Sequence, residues 1–308
     1  MSAGIVLSQM LIIFTLMLIG LFLCRCGIIN QDSSQILSGI VVNLCSPMQL
    51  IMSVVTNQSA TVEKSSVVYF FVLSIVVYVL MIVIGYILNR LLRVEQNQKA
   101  DYMLMTMFGN CGFIGIPVAL AIFGNASLVY VAIFNLAYNM FFYTYGLWIV
   151  TSDIEGISMK SQLKKMINPG NIACVATIIL YWYDIKVPES VQALCNYTGQ
   201  PATLLAMLVI GISLSNMNFK ETFTDMKFNL FVMIRFFVIP AVLTIAMKFF
   251  IADPLFRGTM ALMIAVPVGN MPAMIRSQFN LDNTLTAKGA VVTTILSVIS
   301  ITFTCLFI

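Results

Sequence analysis

Two asparagines, Asn110 and Asn270, lie in strongly apolar stretches of the chain, each inside a cluster of glycine and proline residues. The first cluster reads GNCGFIGIP at residues 109–117, and the second reads VPVGNMP at residues 266–272. A side-chain amide donates hydrogen bonds to a carboxylate without the desolvation cost of a buried charge. The two asparagines are therefore candidate ligands for an anionic substrate.

Both clusters interrupt segments that would otherwise be membrane-spanning helices. Residues 102–152 carry no charge, yet they contain Gly109, Gly112, Gly115 and Pro117 where a spanning helix would favour leucine or isoleucine. Lipid cannot pair the backbone groups that a broken helix frees, so a break requires cover from protein or from a water-filled cavity. Interruptions at corresponding positions of two halves of a chain indicate the substrate site of a secondary transporter.

A second pair of candidate breaks, at residues 46–47 and 200–201, has nearly the same offset along the chain as Pro117 and Pro272. The matched spacing favours a repeated architecture. The alternative is that glycine and proline, which are common in membrane helices, only kink them.

The ends of the broken helices determine the charge of the expected ligand. The second half of each broken helix begins near the middle of the membrane, where its unpaired N–H groups carry about half a positive charge. Pro117 and Pro272 fit the preference of proline for the first helical turn, and Pro267 lies within the second break. Two positive helix ends that meet at one depth favour a bound anion.

The composition is that of an integral membrane protein. Of the 308 residues, 60% are hydrophobic and only 9% are charged, whereas soluble proteins have about 25% charged residues. The mean hydropathy is +0.98. The sequence has no basic stripe with interleaved aromatic residues of the kind that binds nucleic acid. It has no histidine, no phosphate-binding glycine loop and no pair of carboxylates within a span, which argues against an enzyme.

The seven cysteines are scattered and do not form a disulfide framework. Most lie in apolar runs, where cysteine behaves as a small hydrophobic residue. Cys24 and Cys26 are a poor metal site in a chain without histidine. No metal or other cofactor is expected.

The apolar segments predict an all-α polytopic fold with ten transmembrane helices. Residues 1–150 form the first five-helix repeat, residues 151–170 a cytoplasmic linker, and residues 171–308 the second five-helix repeat. Because each repeat has an odd number of helices, the second enters the membrane from the opposite side and the repeat is inverted. Helix four (residues 102–123) and helix nine (residues 255–279) are the broken helices, and they are expected to cross.

The positive charges predict the orientation. Most of the 16 Lys and Arg residues fall in loops that this topology puts on one side, among them Lys160, Lys164 and Lys165 of the linker. Positive residues accumulate on the cytoplasmic side. Both termini are therefore predicted outside the cell membrane.

Further polar residues at membrane depth could line the same cavity. They are Asn43 and Ser46 on helix two (residues 33–62) and Asn135 and Asn139 on helix five, which follows the turn at residues 124–127 and ends near residue 150. Hydrogen bonding between helices is the alternative role for such residues.

Two arginines carry separate hypotheses. Arg276 follows Pro272 by about one turn and could hold a second carboxylate of the substrate, or extend to the membrane interface. Arg235 lies about two turns inside helix eight (residues 229–250) and is expected to anchor the near end of that helix.

The NxGFxGIP motif at residues 110–117, the break at residues 267–272 and the five-plus-five plan resemble the auxin efflux carrier family. That family includes plant auxin carriers and bacterial malate and malonate permeases, within the bile-acid/sodium symporter-like fold. The resemblance implies a scaffold domain of helices one, two, six and seven and a transport domain of helices three to five and eight to ten. It also implies elevator-like alternating access and, in many members, a homodimer. Because residues 151–171 form only a short loop, the bacterial organic-anion permeases are the closer match.

The sequence therefore predicts a secondary transporter in the lipid bilayer for a small organic anion such as malate. The spans of helices four and nine contain no Asp or Glu, although sodium sites and proton relays usually contain acidic residues or histidine. We therefore expect uniport or exchange driven by the membrane potential and the substrate gradient. A passive anion channel and an efflux carrier for auxin-like aromatic carboxylates are the alternatives; saturable flux with counterflow would distinguish a carrier from a channel.

Overall fold

The structure is a computed structural model that describes residues 3–55, 63–151, 167–215, 225–279 and 281–308, and it is built from α-helices. In the first half the helices are α1 (Ala3–Arg25), α2 (Gln31–Ile40), α3 (Ser46–Val55), α4 (Lys64–Leu91), α5 (Lys99–Met107), α6 (Ile116–Phe123), α7 (Ser127–Phe141) and α8 (Leu147–Thr151). In the second half they are α9 (Pro169–Trp182), α10 (Glu189–Gly199), α11 (Pro201–Leu214), α12 (Met226–Met233), α13 (Ile239–Met247), α14 (Pro254–Ala265), α15 (Met271–Gln278) and α16 (Thr284–Cys305). Most of the linker predicted at residues 151–170, including its three lysines, lies outside the described residues.

Many of the described helices are apolar enough to lie in a membrane. Six are also long enough to cross it: Ser33–Met52, Lys64–Leu91, Ser127–Thr151, Glu189–Ile212, Met226–Met247 and Thr284–Cys305. Four shorter apolar helices accompany them: Leu11–Arg25, Cys111–Phe123, Pro169–Trp182 and Pro254–Ala265. Large apolar side chains such as Phe22, Val83 and Val242 are exposed on the outer surface, which lipid tolerates and water does not. For the residues that the structure describes, the expectation of an all-α membrane protein with several spanning helices is confirmed.

In the described part of the chain, three π-helical turns each end two residues before a proline. They are Val41–Cys45 before Pro47, Cys111–Gly115 before Pro117, and Ile234–Val238 before Pro240. Proline has no N–H, and its ring collides with the carbonyl four residues back. In the wider turn the residue before the proline bonds five residues back, as the Ser46 N–H does to the Val41 carbonyl. The helix thereby passes the proline without unwinding.

Helix two (residues 33–62) and helix seven (residues 190–214) are not broken at their prolines, so the interruptions predicted at residues 46–47 and 200–201 were wrong. Ser33–Met52 is one continuous helical span, and Gln200 has helical dihedral angles (φ −54°, ψ −41°) between α10 and α11. A proline within a continuous helix leaves one backbone carbonyl without its hydrogen-bond donor. Unwinding would free several, none of which lipid can satisfy.

One group of helices, α1 to α3 and α9 to α11, packs together through close backbone approaches. A Cβ on Gly20 of α1 would lie 2.7 Å from the carbonyl oxygen of Leu208 on α11. A Cβ on Gly199 of α10 would lie 2.9 Å from the backbone nitrogen of Gln49 on α3. Small residues permit such close packing between membrane helices, which gain little from apolar burial alone.

A second group contains both broken helices. α4 packs on α5 and α7, while α14 packs on α7, α13 and α16. The rings of Phe70, Tyr130 and Phe256 join α4, α7 and α14, with centroids 4.5 Å apart for Phe70 and Tyr130 and 4.8 Å apart for Phe70 and Phe256. The two groups meet where α9 contacts α7 and where α1 contacts α16.

Candidate substrate site at the helix crossing

The two broken helices cross through a short antiparallel pairing of their unwound segments. α5 ends at Met107 and α14 ends at Ala265. The Asn110 N–H then donates to the Pro267 carbonyl at 2.7 Å, and the Gly269 N–H donates to the Phe108 carbonyl at 3.0 Å. Each segment thus satisfies backbone groups of the other, which lipid could not do.

Two glycines are required for this close approach. A Cβ on Gly109 would lie 2.6 Å from Cγ2 of Val266, and a Cβ on Gly269 would lie 3.1 Å from the Gly109 carbonyl oxygen. Gly115 is also constrained, because its Cβ would lie 3.0 Å from Cε of Met263. Gly112 is different: a Cβ there would meet no atom within 4 Å. Open space therefore lies beside the first break.

Asn110 begins the second half of the first broken helix. Its Oδ1 accepts a hydrogen bond from the Phe113 N–H at 3.0 Å, and its backbone carbonyl accepts from Ile114 and Gly115. The residue is 6% exposed. Its Nδ2 has no hydrogen-bond partner among the described residues, so this donor is available to a ligand.

Asn270 occupies the matching position in the second break, immediately before α15. The residue is half-buried, and its backbone carbonyl accepts from the Met274 N–H at 3.0 Å. Within the described ranges its side-chain amide has no hydrogen-bond partner. Both predicted asparagines therefore adjoin the crossing with amide donors unused.

The three predicted prolines differ in position. Pro272 is the second residue of α15, in the first turn as expected. Pro267 cannot donate to the Met263 carbonyl, which helps to end α14, and its own carbonyl accepts from Asn110. Pro117 is not in the first turn, because the half-helix begins earlier with the π turn Cys111–Gly115.

Arg276 forms a buried ion pair at the other end of α5. Its Nε lies 2.8 Å from Oδ1 of Asp101 and donates to the Asp282 carbonyl at 2.6 Å. Arg276 is 9% exposed and Asp101 is 4% exposed. The side chain of Arg276 is therefore buried within the protein, and its charge is balanced by Asp101.

The carboxyl of Asp101 lies just before the uncharged run that begins at Tyr102. Burial raises its pKa to about 6, Arg276 opposes that rise and Asp282 adds to it. Hydrogen bonds from Thr284 lower the pKa of the Asp282 carboxyl in the loop before α16.

The remaining predicted residues form hydrogen bonds within their own helices or to a neighbouring helix. Exposed Asn43 donates to the Gly39 carbonyl of its own helix, and Ser46 is half-buried at the start of α3. Asn135 donates to the Val131 carbonyl at 2.9 Å. Asn139 donates to the Asn135 carbonyl and, at 2.7 Å, to Oδ1 of Asn171 on α9. Asn139 thus takes the alternative role, a hydrogen bond between helices.

Arg235 is the important residue whose role the sequence did not reveal. It is 2% exposed and donates to the carbonyls of Thr106 and Ile264, at the ends of α5 and α14. The expectation that it anchors the end of helix eight was wrong, because both broken helices offer acceptors at the crossing. An arginine inside an apolar span was the available signal.

An aromatic cluster holds the first break from one side. Phe108 is fully buried, and its ring lies 5.4 Å from that of Tyr138 and 5.0 Å from that of Phe142, both edge to face. Tyr78 of α4 lies 6.3 Å away. Since these rings come from α4, from α7 and from the residue that directly follows α7, the break is fixed to its neighbours in the second group of helices.

Comparisons with known proteins agree with these features. Residues 5–305 match a family described as membrane transport protein. An uncharacterized transporter of Methanocaldococcus jannaschii is 26% identical over 304 residues, which cover 96% of this chain and 96% of that protein. The likeness therefore spans both broken helices.

Proposed function

Since the chain belongs to the auxin-efflux-carrier-like family of membrane transport proteins, we propose that it is a secondary transporter for a small organic anion, a carboxylate such as malate. One observation carries the proposal. Asn110 and Asn270 lie beside the same crossing, each before a half-helix and each with an unused side-chain N–H donor. Amide donors suit a carboxylate, which is an acceptor at both oxygens.

Helix electrostatics support an anion at this position. Each half-helix begins at the crossing, where its unpaired N–H groups carry about half a positive charge. Helix N-termini bind carboxylates and phosphates for this reason. The open space beside Gly112 gives a ligand room next to the first of these ends.

The proposed architecture is an inverted five-plus-five repeat of residues 1–150 and 171–308. The six long and four shorter apolar helices among the described residues overlap the ten expected spans, which supports this plan. In helices four and nine they cover only Cys111–Phe123 and Pro254–Ala265. We propose that the first packing group is a scaffold of helices one, two, six and seven and the second a transport domain of helices three to five and eight to ten, and the helix contacts support this division. This division supports elevator-like alternating access. We further propose a cell-membrane location with both termini outside, and a homodimer.

Transport is proposed to be uniport or exchange. A substrate carrying net charge through the membrane potential gains or loses about 2.3 kcal/mol per charge per 100 mV. The potential and the substrate gradient then suffice to drive flux without a coupling ion.

A flux screen in proteoliposomes tests the proposal. Purified protein is assayed with monocarboxylates, dicarboxylates and aromatic carboxylates, and counterflow is measured for each. We expect saturable, counterflow-competent flux of a small aliphatic carboxylate. Flux that rises without saturation would indicate a channel, and selective flux of aromatic carboxylates would indicate the auxin-like alternative. No flux of any carboxylate would refute the proposal.

A further inference from the structure

The first halves of both broken helices, α5 and α14, end at the crossing and leave carbonyl groups without helical partners. In an unbroken helix the Thr106 carbonyl would accept from Asn110, and the Ile264 carbonyl would accept from Val268. The Asn110 N–H instead donates to the partner segment, and the Val268 N–H donates to Oγ1 of Thr293 at 2.9 Å. Two equivalent carbonyls therefore face the crossing unpaired by their own helices.

Arg235 pairs both carbonyls with one side chain. Its Nε donates to the Thr106 oxygen at 2.6 Å, and its Nη1 donates to the Ile264 oxygen at 3.0 Å. The guanidinium is planar, so these donors have a fixed separation. Arg235 thus ties the ends of α5 and α14 to a third helix at a single point.

The charges balance as well as the hydrogen bonds. A helix C-terminus carries about half a negative charge, so two such ends amount to about one. Neither of the two ion pairs found among the described residues involves Arg235, which is 2% exposed. A buried charge needs compensation, and the two helix ends provide it.

In transporters with broken helices, unwound carbonyls and half-helix C-terminal ends coordinate the coupling cation. We propose that Arg235 is a resident cation at this position, which replaces a bound sodium ion and leaves the crossing selective for anions. The positive half-helix ends beside Asn110 and Asn270 then act on the substrate without competition from the negative ends. The inference rests on the proposed transport function for its role, but the cation site itself can be tested without a substrate.

The test compares neutral and charged replacements of Arg235 in the full-length purified protein. Arg235→Gln and Arg235→Ala remove the charge, whereas Arg235→Lys keeps it and loses the fork of donors. Arg257→Ala is the matched control, because Arg257 also donates to two main-chain oxygens, the carbonyl of Ile251 and an oxygen of the last residue, Ile308. Melting temperature is measured in sodium, in guanidinium well below denaturing concentrations, and in choline at equal ionic strength.

We expect the neutral variants to be stabilised by sodium or guanidinium over choline in a saturable manner. A ligand at 100 times its Kd adds about 2.7 kcal/mol, which corresponds to a shift of several degrees. Wild type, Arg235→Lys and Arg257→Ala should show no such preference. In proteoliposomes the neutral variants should lose most flux and regain part of it with guanidinium.

The outcomes separate this inference from the proposed function. Cation-dependent melting in the neutral variants supports the resident cation even if no carboxylate is transported. Equal sodium stabilisation of wild type and variants would overturn it, as would neutral variants that melt independently of the cation. Identical behaviour of Arg235→Lys and Arg235→Gln, including a shared failure to fold, would show that the charge is not what matters and would also overturn it.

Discussion

Asn110 has two roles at the crossing, and the substitution Asn110→Asp separates them. Its Oδ1 caps the half-helix by accepting from the Phe113 N–H at 3.0 Å, and aspartate caps helices equally well. Its Nδ2 is the proposed donor to the substrate, and aspartate replaces it with an acceptor. The helix N-terminus favours the ionised form of that aspartate, so the variant places a negative charge where a carboxylate should bind.

The expected magnitudes follow from these two roles. Losing a hydrogen bond to a charged partner costs about 1.5–3 kcal/mol, which weakens binding roughly 10- to 150-fold. In Asn110→Asp, charge repulsion adds to this loss while the melting temperature stays near that of wild type. In Asn110→Ala the cap is lost too, which removes about 0.5–2 kcal/mol of stability. The structure thus predicts that the alanine variant is destabilised as well as weakened in binding.

Equilibrium binding of the radiolabelled carboxylate identified by the flux screen gives the affinity, and differential scanning fluorimetry gives the melting temperature. Asn43→Asp is the matched control, since Asn43 is exposed and donates only to Gly39 of its own helix among its described contacts. Wild-type affinity in Asn110→Asp would refute the proposed donor. An equal loss of stability in the aspartate and alanine variants would refute the cap.

Gly269→Ala should lower the melting temperature by an amount equivalent to about 1–3 kcal/mol, because its Cβ would meet the opposing backbone at 3.1 Å. Gly112→Ala is the control and should melt near wild type, because its Cβ would meet no atom within 4 Å. Equal effects of the two substitutions would contradict the crossing geometry. The pKa of Asp101 is about 6, so acidification through that pH protonates the carboxyl and releases its arginine partner. We expect wild-type flux to change across this range and Asp101→Asn to lack the step; an unchanged step would assign it to another group. A cysteine added after Ile308 should react with an impermeant reagent on intact cells while Ser161→Cys should not, and the reverse labelling would invert the topology. Replacing sodium with choline should leave wild-type flux unchanged, and sodium-driven accumulation at zero membrane potential would contradict uniport and exchange.

The existence and location of the breaks could be predicted from the sequence. Gly109 and Asn110, like Gly269 and Asn270, interrupt long apolar runs, and unwound backbone in lipid requires a partner. The structure provides that partner as the second break. Prediction succeeded here because the requirement is local: the unpaired backbone groups of each such segment must be shielded from lipid by protein or by a water-filled cavity.

The register of the half-helix could not be predicted in the same way. Pro117 suggested a start near itself, but the side chain of Asn110 caps the helix earlier, and the π turn Cys111–Gly115 absorbs the missing proline N–H. The same device keeps helix two continuous through Pro47. Pro47 and Pro201 lie inside continuous helical spans, only the first of them after a π turn, whereas Pro272 lies in the first turn of a half-helix. Nothing in the identity of the proline decides between these outcomes.

The partners of the two buried arginines depend on contacts between distant parts of the chain, but one of them is constrained by composition. Arg276 pairs with Asp101 across the ends of the two broken helices. The sequence alone does not favour Asp101 over the other acidic residues near these ends as its partner. Arg235 lies within Met226–Met247, a span that contains no Asp or Glu. The spans of the two broken helices, residues 102–123 and 255–279, contain none either. A buried guanidinium there must be neutralised by backbone carbonyls, and helix C-termini are where those are unpaired. The lack of acids that argues against a sodium site therefore also directs Arg235 to the ends of α5 and α14.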